Sequence, residues 1–216
     1  MENLIQTLAI SILPVVLAIT LHEAAHGYAA LRLGDDTAAR LGRITLNPLK
    51  HIDPWGTVLL PLILVTLSGG KFLFGYAKPV PVNFGRLNNP KQDMLWVALA
   101  GPMSNLAQAV VWALLMKLTW LIPASDYTLP MATMSQIGIT VNLVLMVLNL
   151  LPLPPLDGGR ILVSLLPMPW AQRVAGIERY GFVILLALLF TGILGSVLTP
   201  LVDMAEALLN AAFGLY

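Results

Sequence analysis

The sequence predicts an all-α polytopic membrane protein with about five to six transmembrane helices, a re-entrant segment and short membrane-associated β-strands around residues 71–84. Three observations carry that prediction. Of the residues, 57% are hydrophobic and 11% charged, whereas about a quarter of a soluble domain is charged. Several apolar runs reach the ~20 residues that a spanning helix needs. The lysines and arginines also gather on one side once a single short apolar segment is allowed to turn back. A formal charge of +1 points to no nucleic-acid partner, and the absence of cysteine removes disulfides, iron–sulfur clusters and thiolate metal sites.

In chain order, the first apolar stretch runs from Leu4 to Leu31. No basic residue precedes it and no small-residue cleavage site follows it, so it reads as a retained helix and not a signal peptide. Residues 32–56 are polar and punctuated by glycine and proline, as expected of an aqueous or interfacial loop. Thr57 to Leu67 is apolar but short and contains Pro61. The glycines, prolines and β-formers that follow, "SGGKFLFGYAKPVPVNFG", suggest a turn and short strands. Longer helices are expected at about Met94 to Ile122 and Met131 to Leu151, then a short apolar piece at Ile161 to Leu166 and a longer one at Tyr180 to Leu198. A tail from Leu201 to Tyr216 either crosses or lies along the interface. No repeat or linker divides these pieces, so residues 1–216 read as a single domain.

Charge orients the chain. If Thr57 to Leu67 crossed fully, Arg32, Arg40, Arg43, Lys50 and Lys117 would face Lys71, Lys78, Arg86, Lys91, Arg160, Arg173 and Arg179 across the membrane, with no bias. If the segment enters and returns, only Lys117 stands opposite the rest, as the positive-inside rule requires. The amino terminus is then outside, and residues 32–93 and 152–179 face the cytoplasm. Non-helical backbone at membrane depth must be covered by protein or line a wet cavity.

"HEAAH", residues 22–26, carries the chemistry. Four-residue spacing puts His22 and His26 on one helix face, and Glu23 lies about 100° round from His22. Two imidazoles and a carboxylate form an open zinc site, and a nearby glutamate can take a proton from the water that such a metal acidifies. Ionisable groups inside a span are costly, which makes a functional reading stronger than one of snorkelling polar residues. Asp157 in "NLLPLPPLDGGR" is the best third ligand: it follows the Met131 to Leu151 helix, and the re-entrant topology brings that end to the side of the membrane where HEAAH lies. Gly158 and Gly159 permit tight turns after it, and Pro152, Pro154 and Pro155 stop the helix before it. Asn149 and Asn142 lie two turns apart on one face, so either could polarise a carbonyl or hold a substrate backbone, or simply bond another helix. Asn105 in "AGPMSN" stays open, Gly101 reads as structural, and His51 reads as a surface loop residue. Extended residues Pro79, Val80, Pro81, Val82 and Asn83 offer a sheet edge to an unwound substrate.

HEAAHG in a membrane helix, "LGRITLNPLKHIDPWGTVLLP", "YAKPVPVN", "AGPMSN" and "NLLPLPPLDGGRIL" resemble the site-2 protease family of intramembrane zinc metalloproteases in their short prokaryotic form. The resemblance covers most of residues 14–166. It implies one zinc ion per chain held by His22, His26 and Asp157, Glu23 as general base, and Asn149 assisting at the substrate carbonyl. It also implies cleavage of transmembrane-helix proteins near the cytosolic face of a prokaryotic cell membrane, as in regulated intramembrane proteolysis. Unlike larger members, a chain of this length has no room for a PDZ or CBS domain. Two other classes compete. A divalent-metal transporter would need a polar path outward from the histidines, and a non-catalytic membrane scaffold would not need Glu23 beside them.

Overall fold

Long apolar runs with few charges bury their backbone polar groups most cheaply as helices, and helices dominate the computed structural model, which describes residues 2–67 and 75–215. In order they are α1 (Glu2–Arg32), α2 (Thr37–Arg40), α3 (Leu60–Leu67), α4 (Pro90–Leu121), α5 (Thr128–Leu150), α6 (Asp157–Leu165), α7 (Met168–Ala175), α8 (Glu178–Phe190) and α9 (Ile193–Phe213). Four of them are long and apolar enough to cross a membrane: Ala9–Arg32 within α1, and all of α4, α5 and α9. The chain is a multi-pass helical membrane protein. Four, among the described residues, replaces the five to six expected.

The difference arises near the carboxy terminus. The apolar run Tyr180 to Leu198 is not one helix, because Gly192 takes the left-handed conformation (φ 76°) and separates α8 from α9. Only glycine adopts that backbone readily. The residues from Leu201, for which crossing and an interfacial course both stood, therefore continue a helix that begins at Ile193, and Val202 and Leu209 pack with Trp112, Ile139 and Leu143 in the main apolar core.

α4 is the central helix, touching α1, α5, α6 and α9. Its direction follows from paired contacts. Val97 and Asn105 of α4 meet His26 and His22 of α1 respectively, so those two helices are antiparallel. Asn105 meets Asn142 and Trp112 lies against Gly138, so α4 and α5 are antiparallel too. Consequently α1 and α5 run parallel, the relation that the placement of Asp157 required.

Between α2 and α4, hydrogen bonds join residues 51–57 to residues 76–78. A π-helical turn over Pro54–Leu59 is capped by Asp53, whose carboxylate accepts from the amides of Trp55 and Gly56 at 2.9 and 2.8 Å, and leads into α3. The Tyr76 amide donates to the Gly56 carbonyl at 3.0 Å, the Thr57 hydroxyl donates to the Tyr76 carbonyl at 2.9 Å, and the Lys78 amide donates to the His51 carbonyl at 2.9 Å. The expected strands do not form: residues 75–83 have no regular secondary structure and are followed by a 3₁₀ turn at Phe84–Arg86, while 71–74 lie outside the described residues. Proline at 79 and 81 leaves one edge of this stretch without donors, and on the other edge the Val80 amide is taken by Glu23.

What holds it is side-chain anchoring. Asp35, fully buried just after α1, accepts from the Asn83 amide at 2.7 Å, the Thr37 amide at 3.0 Å and the Thr37 hydroxyl. Arg43 donates through Nη2 to the carbonyls of Lys78 and Pro79 at 2.9 and 3.2 Å. Burial opposes the charge on Asp35, but the bonds from Thr37 and Asn83 and the nearby Arg86 outweigh it and hold the carboxyl below the usual carboxylate range. A carboxyl whose folded pKa is depressed contributes stability above its unfolded pKa and loses it as pH falls through the folded value. Asp35→Asn should therefore lower the unfolding free energy at neutral pH by about 1–3 kcal/mol. That deficit should shrink below a pH of about 3.9, as followed by thermal unfolding of the purified protein.

Candidate metal centre

The centre is assembled from two four-residue stripes facing each other. On α1 the stripe is Ala18, His22 and His26; on α4 it is Val97, Gly101 and Asn105. Such rows interdigitate when helices pack closely, and at Gly101 the two imidazoles lie close against the backbone of α4. A Cβ built there would stand 2.4 Å from His26 Nε2 and 2.6 Å from His22 Cε1. The sequence suggested a structural glycine. It is one, and what it accommodates is the pair of imidazoles.

Asp157 arrives from the third side. α5 ends at Leu150, and Leu151–Leu156 turns without helix, as the prolines require. α6 then starts at Asp157 itself. Gly158 and Gly159 serve here through close approach and not through unusual torsions: a Cβ on either would lie 2.2–2.3 Å from the backbone of Leu150, Leu151 or Pro154. Two absent side chains let the first turn of α6 sit against the preceding loop and aim Asp157 at the histidines.

His22, His26 and Asp157 are all buried. Their inner atoms converge: His22 Nε2 and His26 Nε2 are 3.1 Å apart, and they stand 3.3 and 3.2 Å from Asp157 Oδ2. For a tetrahedral ion with bonds of about 2.0–2.1 Å, ligand atoms lie about 3.3–3.4 Å apart. Asp157 Oδ2 is buried and has no hydrogen-bond donor, a costly state for a carboxylate unless a cation satisfies it. Spacing, donor set and orphaned oxygen all fit a zinc ion, and among the described residues no further His, Asp or Glu joins the three.

A cavity of about 120 Å³ opens beside these atoms, lined among others by Glu23, Asn149, Arg160, Pro79, Val80 and Val82. Glu23 is half-buried, and its Oε2 accepts from the Val80 amide at 2.7 Å. Asn149 gives one amide hydrogen to the Leu145 carbonyl at 3.0 Å, which leaves its Oδ1 uncommitted to that bond. Of the extended residues, Pro79, Val80 and Val82 line the cavity, whereas Pro81 and Asn83 do not. Asn105, left open by the sequence, and Asn142, for which substrate contact and a bond to another helix both stood, are fully buried and lie behind His22, away from the cavity. His51 is not at the surface: it is 2% exposed, its Nε2 lies 3.0 Å from the Thr45 carbonyl, and it does not line the cavity. Sequence reasoning passed over Arg160, which lines the cavity 3.7 Å from Glu178. Its position one turn after Asp157 was the available signal.

Fold and centre together define a class: a multi-pass membrane protein with an HExxH helix and a distant aspartate converging on one metal-sized gap. A family model described as Peptidase family M50 matches residues 122–190. The protein named "Putative zinc metalloprotease YwhC" of Bacillus subtilis (strain 168) is 38% identical over 195 residues, covering 89% of this chain and 85% of that protein. "Putative zinc metalloprotease Rip2" of Mycolicibacterium smegmatis is 31% identical over 176 residues, 82% of this chain but 64% of that protein. The Rip2 protein of Mycobacterium tuberculosis (strain H37Rv) is 32% identical over 173 residues, 80% of this chain and 63% of that protein. No solved structure matches. The chain belongs to peptidase family M50, the site-2 protease family.

Gly101→Ala tests the packing beneath the histidines. With the new methyl forced against both rings, zinc affinity measured by chelator competition should fall by ~10-fold or more, while circular dichroism retains the helical signal. Unchanged affinity would mean that the α1–α4 approach is looser than described.

Proposed function

We propose that the chain is an intramembrane zinc endopeptidase that hydrolyses peptide bonds in or near transmembrane segments of other membrane proteins, with one zinc ion held by His22, His26 and Asp157. The observation that carries this reading is the convergence of three buried ligand atoms at tetrahedral spacing beside a cavity that also contains Glu23. When bound, the metal would polarise the scissile carbonyl and make water a better nucleophile near neutral pH. Glu23 is the general base: it takes the proton from the attacking water and passes it to the leaving amine. Asn149, across the cavity, offers an amide to the substrate carbonyl.

A helical substrate hides its carbonyls, so it must unwind before it can be cut. Pro79 to Asn83 would hold the unwound stretch. Pro79 and Pro81 lack amide hydrogens, and the Val82 amide, among the described residues, has no protein acceptor. Anchoring by Asp35 and Arg43 supports a pre-formed edge in place of a regular strand. The hydrogen bonds joining Tyr76 to Gly56 and Thr57 support a re-entrant course for the intervening segment. With the charge bias, this argues for a centre towards the cytoplasmic side and an outer amino terminus.

Transport of a divalent metal is the weaker reading. Outward of His22, Asn105 and Asn142 are fully buried, and Ala109, Trp112, Ile139 and Leu143 close the bundle with apolar groups. A scaffold without chemistry leaves the position of Glu23 unexplained.

Purified protein incubated with a transmembrane substrate should cleave it, lose activity with a chelator and regain it with zinc. Glu23→Gln should reduce turnover by about 10²-fold or more while retaining zinc. Undiminished cleavage by that variant would refute the role of Glu23, and zinc uptake into vesicles without proteolysis would favour transport. Removing Pro79 to Asn83 should impair cleavage of a helical substrate more than that of an unstructured peptide; equal losses would count against substrate capture by this edge.

A further inference from the structure

Asn105 and Asn142 are the polar groups that the proposed reaction leaves unused, and both are fully buried between membrane helices. A buried amide costs stability unless its donors and acceptor are satisfied, and here they form an ordered chain across three helices. Asn142 Nδ2 donates to the Gly138 carbonyl at 2.9 Å. Asn105 Nδ2 donates to Asn142 Oδ1 at 2.9 Å and to the Ala18 carbonyl at 3.2 Å. Asn105 Oδ1 is 2.6 Å from His22 Nδ1.

The direction of this chain is determined by its ends. The carbonyls of Gly138 and Ala18 can only accept, so each asparagine must turn its NH₂ towards them. Asn105 then has only its oxygen left for His22, and the ring must supply the hydrogen. We infer that Asn105, anchored by Asn142, is a positioning residue that keeps the proton of His22 on Nδ1 and its Nε2 lone pair aimed at the metal centre. His26 is treated in the same way by a simpler partner, since its Nδ1 lies 2.7 Å from the Val97 carbonyl. A main-chain carbonyl suffices there, while His22, one turn deeper, faces a side chain that needs a relay to hold its orientation.

No other residue fits position 105 as well. It must accept once and donate twice within one short planar group; aspartate has no donor, and leucine of similar shape has neither. The relay also registers the centre. Asn142 is on α5, the helix whose end delivers Asp157, so the first ligand is oriented by the element that positions the third.

This inference rests on the proposed metal centre, but part of its test does not require metal. The chain contains three histidines, so ¹⁵N spectra of the metal-free, histidine-labelled protein in lipid nanodiscs can resolve which ring nitrogen carries hydrogen. Wild type should show hydrogen on Nδ1 of both His22 and His26. In Asn105→Leu, His22 should populate the Nε2–H form while His26 is unchanged. Zinc affinity by chelator competition should fall about 10–100-fold, the usual cost of losing such a partner. Asn142→Leu keeps the His22 contact and removes the shorter of the two bonds that orient the Asn105 amide, leaving only the one to the Ala18 carbonyl. It should give a mixture of His22 tautomers and a smaller loss of affinity, and it carries the test if Asn105→Leu does not fold. The wild-type tautomer together with zinc affinity within about twofold of wild type in the folded variants would overturn the inference. Wild type that holds the tautomer but binds no zinc would overturn the metal centre and leave the relay standing.

Discussion

The arrangement of this protein depends on how closely α1 can approach α4. At Gly101 there is no side chain, and two imidazoles fill the space that a Cβ would otherwise claim. One turn to either side, α4 offers Val97 and Asn105 to the same two rings. Four-residue spacing on one helix thus meets four-residue spacing on the other, and each histidine has an outer partner before any metal is considered. The contact also brings Asn105 near α5, and α5 sets the starting point of the loop that ends in Asp157. Packing and ligand geometry are therefore one problem: a change that widened the α1–α4 gap would disturb both.

Much of the centre was legible in the sequence because its parts obey local rules. His22, His26 and Glu23 lie within one helical turn, and their relation needs only the pitch of the helix. Asp157 needed a long-range argument, and the charge bias supplied it by requiring α1 and α5 to run the same way. The prolines before Asp157 predicted the end of α5 to within a residue. The second apolar half was harder. Tyr180 to Leu198 has the length and hydropathy of a span, and whether Gly192 sits in a right- or left-handed conformation is decided by how α9 docks on Trp112 and Ile139, which no periodicity records.

Asn105, Asn142 and His51 illustrate another limit. An asparagine in a membrane helix is equally compatible with meeting substrate and with bonding a neighbouring helix. The distinction depends on which face is covered, a property of three helices together. Strand propensity at residues 75–83 failed for a related reason: pairing requires a partner with free donors and acceptors. Here the partners are the side chains of Asp35, Arg43 and Glu23, so the stretch is held without being part of a sheet.

That last set of anchors links substrate capture to chemistry on the proposed reading. Glu23 accepts a hydrogen bond from the backbone of the very segment assigned to hold the substrate. A bond to a charged acceptor is worth about 1.5–3 kcal/mol, enough to favour one carboxylate orientation by an order of magnitude or more. Pro79 and Pro81 cannot donate, so Val80 is the donor presented to Glu23 without competition from either neighbour. The carboxylate is fixed through one oxygen, Oε2, which leaves the other for water. Because Asp35 and Arg43 hold both ends of the same short stretch, displacement of the edge by an ill-fitting segment would also disturb the base. Accommodation of an extended backbone and orientation of Glu23 then become a single event, which would favour substrates able to unwind at the cavity over helices that merely touch it.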